Sequence, residues 1–122
     1  MTETSPVGHG LDVLAVVPDL LFASRISALL GRMERSIAFA RSREEVERML
    51  AEGRPRLVLI DLGARGIDPR AVIRRGRIAN VERIVVFGPH KDLAARAAAL
   101  EEGADRWISN QRLLETLPEL LT

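Results

Sequence analysis

Five times between Leu11 and Leu121 an apolar run of four to seven residues is followed by a segment whose apolar residues fall at helical spacing. This repeat constrains the fold more than any other feature, because short apolar runs joined to amphipathic helices by brief connections are the pattern of α/β units. The first pair is Leu11–Val17 followed by Asp19–Met33, where Leu21, Ile26, Leu29, Leu30 and Met33 share a helical face. Ser36–Ala40 is the second strand, and Ser42 with Glu45 has capping-box spacing ahead of a helix that Gly53 should end. Arg56–Leu62 is the third strand, and Asp68-Pro69 places an N-cap acceptor before a first-turn proline in a helix running to about Ala79. Arg83–Phe87 and the alanine-rich Lys91–Glu102, stopped by Gly103, form the fourth pair. Arg106–Ser109 is the last strand, with Asn110 expected to cap a leucine-rich helix that Pro118 bends or shortens.

The strands are nearly continuous in apolar character, which predicts a parallel sheet covered on both faces rather than one with a wet face. The expected class is therefore α/β, a three-layer, doubly wound, five-stranded parallel sheet. For strand order 2-1-3-4-5, the crevice for chemistry opens at the carboxyl ends of strands one and three. The third strand ends Leu57-Val58-Leu59-Ile60-Asp61-Leu62, so its single carboxylate lies at that crevice. A charge on such a segment needs a partner, hydrogen-bond donors or access to water.

Composition narrows the function. The chain has 122 residues, most simply one domain over 11–122 behind a disordered leader at 1–10 that includes His9. A formal net charge of +1 supplies no global field toward nucleic acid or membrane. Six arginines between Arg65 and Arg83 face only Asp68 and Glu82 in that stretch, and are read as a solvated face with scattered ion pairs, not as a nucleic-acid site. The absence of cysteine removes disulfides, thiolate metal sites and thiol nucleophiles. A polar N-terminus, and no apolar run near ~18 residues, predict a cytoplasmic protein without a membrane segment. No G-x-G-x-x-G, P-loop, G-x-S-x-G or paired-histidine motif is present, so a free-standing enzyme is not expected. Val17-Pro18-Asp19 also lacks the glycine, serine or threonine that would cradle a flavin phosphate.

The order of elements, the strand ending LVLIDL, and the stretch Glu101-Glu102-Gly103-Ala104-Asp105-Arg106-Trp107-Ile108 resemble response-regulator receiver domains of the CheY-like fold, over about Leu11 to Leu121. The resemblance implies that Asp61 is the phosphoacceptor position. It implies helpers as well: two acidic residues after strand one, a hydroxyl after strand four and a lysine after strand five. Here Val17 and Pro18 fall on the acidic positions with Asp19 nearby, Gly88 on the hydroxyl position and Asn110 on the lysine position. Magnesium prefers a shell of hard oxygens that Asp61 with Asp19 supplies poorly, so no cofactor is expected and Mg2+ binding is doubtful.

These departures predict a degenerate receiver, or pseudo-receiver, acting mainly through protein contacts. The resemblance also implies pairing through helix four, strand five and helix five, for which Trp107, Leu113 and Leu117 are the expected interface residues. Trp107 stands where receivers carry the aromatic whose rotamer reports activation. Two alternatives remain: a working phosphoacceptor on Asp61 served by a histidine kinase, and a small-molecule or anion sensor in a crevice of Pro18, Asp61, Gly88, His90 and Asn110. For Asp61 itself the plain expectation is a carboxylate satisfied by backbone N–H groups of the Gly63–Gly66 loop or by Arg65. Asp19 is expected to cap the first helix, and His90 either faces Asp61 or is a solvent-exposed loop residue. With no segment beyond the last helix, any output would come from a partner or from the dimer.

Overall fold

A computed structural model describes residues 10–122; the expected leader, apart from Gly10, lies outside the described residues, as does His9. Its elements alternate as β1 (Val13–Val16), α1 (Leu20–Arg32), β2 (Ile37–Phe39), α2 (Arg43–Gly53), β3 (Leu57–Asp61), α3 (Pro69–Ile78), β4 (Arg83–Gly88), α4 (Leu93–Glu102), β5 (Arg106–Ser109) and α5 (Leu113–Leu120). The five strands form one parallel sheet in the order β2-β1-β3-β4-β5. This is the expected architecture, with β3 central between β1 and β4.

Strand periodicity divides the core into two layers. Val13, Ala15, Leu57, Leu59, Val85 and Phe87 pack with Ile26 and Leu30 of α1 and Leu113 and Leu117 of α5. Their neighbours Leu14, Val16, Val58, Ile60, Ile84 and Val86 pack with Val46 and Leu50 of α2, Val72 and Ile73 of α3, and Ala99 of α4. Successive strand residues point to opposite faces, so a sheet buried on both sides needs apolar residues at every position. Continuing the alternation from Leu57 and Leu59, Asp61 falls on the α1 and α5 side.

Local chemistry sets the helix ends. Asp19 accepts from the N–H groups of Leu21 and Phe22, Asp68 from that of Arg70, and Asp92 from that of Ala95. The helix α4 accordingly begins at Leu93, two residues after its expected start. Ser42 accepts from Glu45, but the Glu45 carboxylate reaches the N–H of Arg41 instead of closing the box on Ser42. Gly53 is the last residue of α2, and the left-handed conformation falls on Arg54 at φ 45°. Gly103 does stop α4, at φ 121°. Asn110 makes no cap: it opens a 3-10 turn, Asn110–Arg112, that leads into α5. Pro118 lies within α5, which closes after eight residues.

Two expected interface residues belong to the core. Leu113 and Leu117 have no exposed surface, because the apolar face of α5 is turned against the sheet and α1. The apolar surface available nearby lies on α4, where Leu93 is 64% and Leu100 39% exposed.

Candidate functional site

Asp61 ends β3 and is half-buried. The N–H of Gly63 donates to its Oδ1 at 2.8 Å, and the N–H of Ala64 donates to its backbone carbonyl at 3.0 Å, closing the turn after the strand. Among the described residues no cation forms an ion pair with it, Arg65 included. Burial raises the Asp61 pKa above its ordinary value; the Gly63 hydrogen bond pulls the other way, and the Asp19 carboxylate adds to the rise. The carboxylate is held by one backbone donor and by access to water, with no charge partner among the described residues.

The crevice above Asp61 has a volume of about 340 Å³. Asp19, Leu21, Phe22 and Arg25 come from the start of α1, and Asn110 and Gln111 from the 3-10 turn. Phe22 meets Phe87 edge-on, ring centroids 5.3 Å apart, and both rings line it. Asp19 keeps its helix-capping role at 3.0 and 3.1 Å from the two N–H groups while facing this space.

Three of the expected crevice residues, Asp19, Asp61 and Asn110, are brought together, and three are not. Pro18 is exposed and lines a separate hollow on the β2 side of α1. Gly88 is buried against Leu62 and lies outside the crevice lining. His90 is exposed and does not line it either, because two residues beyond the strand the chain has already passed onto the outer rim. Arg25 and Gln111 are members that sequence reasoning missed. Arg25 lies three residues after Phe22, on the same helical face, so a reading that followed polar as well as apolar residues would have found it.

Two carboxylates converge on the crevice, and the Oδ1 of each accepts backbone N–H groups. Among the described residues no group of three His, Cys, Asp or Glu side chains is placed to hold a metal ion.

Trp107 lies on the other face of the sheet, half-buried under α4. The Arg96 guanidinium sits 4.7 Å from its ring centroid, and its buried indole N–H has no partner. The arginines of α3 are ion-paired: Arg70 and Arg74 with Glu102, Arg75 with Glu47, and Arg77 with Asp105.

No protein-family model matches the sequence, and no curated protein matches it. Solved structures do. A response-regulator signal receiver domain from Bermanella marisrubri superimposes with a TM-score of 0.76 at 26% identity, covering 91% of this chain and 98% of that one. The chain has the fold of response-regulator receiver domains. The receiver domain of a sensor histidine kinase from Pseudomonas aeruginosa PAO1, with a magnesium ion coordinated in its active-site cleft, has the same receiver fold, with a TM-score of 0.78 at 16% identity and coverage of 92% and 94%. A structure of the Saccharomyces cerevisiae histidine phosphotransfer protein Ypd1 with the receiver domain of Ssk1 matches with a TM-score of 0.78 at 17% identity and coverage of 96% and 90%. Within this receiver fold Asp61 ends the central strand. No helix among the described residues is long and apolar enough to cross a membrane.

Proposed function

We propose that this chain is a signal-transduction receiver domain that works mainly through protein contacts, with its phosphorylation chemistry reduced. The observation that carries this reading is the lining of the Asp61 crevice, which holds a second carboxylate and one arginine but no lysine and no hydroxyl. Phosphoryl transfer depends on cations and donors placed where charge develops. Asn110 offers a neutral amide, and Gly88 offers no side chain and lies outside the crevice. With two carboxylates and no third ligand, Mg2+ binding is weak in this proposal, and the domain is not an enzyme in its own right.

The contact surface we assign is α4 with β5 and α5, where two copies pair. Exposed Leu93 and Leu100 and the Arg96-covered Trp107 support it, in place of the buried Leu113 and Leu117. The second reading, a phosphoacceptor served by a histidine kinase or phosphotransfer protein in the cytoplasm, is favoured by the position of Asp61 beside Asp19.

One titration separates them. Beryllofluoride or acetyl phosphate with Mg2+ is added while Trp107 fluorescence and intact mass are followed. The proposal expects neither an adduct nor a fluorescence change; an adduct that disappears in Asp61→Asn would establish the second reading instead.

A further inference from the structure

On the opposite flank of α1 from the Asp61 crevice lies a hollow of about 250 Å³, between the carboxyl ends of β1 and β2 and the loop after β3. Its inner wall is apolar, formed by buried Val17 together with Ala23 and Phe39. Among the described residues its only polar side chains are Arg41 and Arg65, both exposed at the rim, and no acidic residue lines it. Neither arginine has a carboxylate partner among the described residues. This differs from the roomier groove of about 600 Å³ between α2 and α3, where Arg43 and Arg75 share Glu47 and Arg74 pairs with Glu102. On the lip of the smaller hollow Leu20 is left 70% exposed. Glu45 meets Arg41 only at its backbone N–H, and two guanidiniums with no ion pair among the described residues attract an anion; an arginine binds a carboxylate through two parallel hydrogen bonds. An uncovered leucine beside an apolar wall favours an apolar body. The position, at strand ends beside the switch point of the sheet, is where ligands enter open α/β folds.

We propose that this hollow binds a small organic carboxylate with an aliphatic or aromatic body, the carboxylate held by Arg41 and Arg65 and the body covered by Val17, Ala23, Phe39 and Leu20. The site does not use Asp61 and stands independently of how that residue functions.

The test is a titration of the isotopically labelled full chain with phenylacetate, phenylacetamide and acetate, read by amide NMR shifts. Phenylacetate should move Val17, Leu20, Arg41 and Arg65 saturably, with the amide and acetate each weaker by about tenfold or more. The Arg41→Gln/Arg65→Gln double variant, whose exposed positions leave the core untouched, should weaken binding by about tenfold or more. Ala23→Leu, which keeps both arginines but fills the hollow, should also block it. Asp61→Asn should bind phenylacetate as the native chain does. Absence of a phenylacetate response, equal response to the neutral amide, or undiminished binding in the double arginine variant would overturn the assignment.

Discussion

Asp61 holds its charge at a cost that can be measured. Its pKa is raised by burial, with Asp19 adding to the rise, so the folded chain binds the proton more tightly than the unfolded chain does. Stability therefore falls as pH rises from below the ordinary carboxylate value through the folded one. Asp61→Asn is expected to raise stability at pH 7 and to flatten its dependence between about pH 3 and pH 7, read by urea melts across that range. Loss of stability at neutral pH in this variant would mean that the carboxylate has a favourable partner. Asp61 and Asp19 were legible in the sequence because a strand end and a helix cap are local signals. Arg25 and Gln111 were not, because their convergence depends on how α1 and the 3-10 turn sit over the strand ends. Pro18 and His90 were placed at the correct end of the sheet but not at the correct point of its rim, since topology alone does not say on which side of a helix a loop residue emerges.

At the scale of elements, α5 and α4 exchange the roles that leucine content suggests. The leucine-rich α5 is a core helix, and Leu117→Ala should cost about 2–5 kcal/mol of unfolding free energy in denaturant melts. The alanine-rich α4 buries only Ala99 fully and leaves Leu93 and Leu100 in water. The Leu93→Glu/Leu100→Lys variant should change stability by no more than about 0.5 kcal/mol per site, and the proposed pairing predicts a concentration-dependent dimer in sedimentation for the native chain that this variant abolishes. A dimer unchanged by this variant would place the contact elsewhere. Burial periodicity along α5 is the same whether its apolar stripe meets a sheet or a partner, which is why sequence could not separate the two. The strands were plainer: continuous apolar runs fit only a doubly covered sheet, and every one of them lies there. Helix starts were legible at Asp19, Ser42 and Asp68, and were missed at Asp92, which caps α4 two residues after its expected start, and at Asn110, where the chain turns through a 3-10 segment first.

For the whole molecule, the receiver fold is kept, and the proposed function takes the chemistry that usually accompanies it to be reduced. The geometry leaves room to put that chemistry back. A Cβ added at Gly88 would meet Leu62 at 3.5 Å, an ordinary contact, so the backbone there accepts the first atom of a side chain. The Gly88→Thr/Asn110→Lys variant is therefore expected to fold as the native chain does and to gain phosphoryl labelling of Asp61 from acetyl phosphate with Mg2+. The most direct test sets the native chain beside it under the same conditions, with intact mass as the readout and Asp61→Asn as the control. No phosphoryl adduct is expected on the native chain and an Asp61-dependent adduct is expected on the restored one; an Asp61-dependent adduct on the native chain would overturn the proposed function.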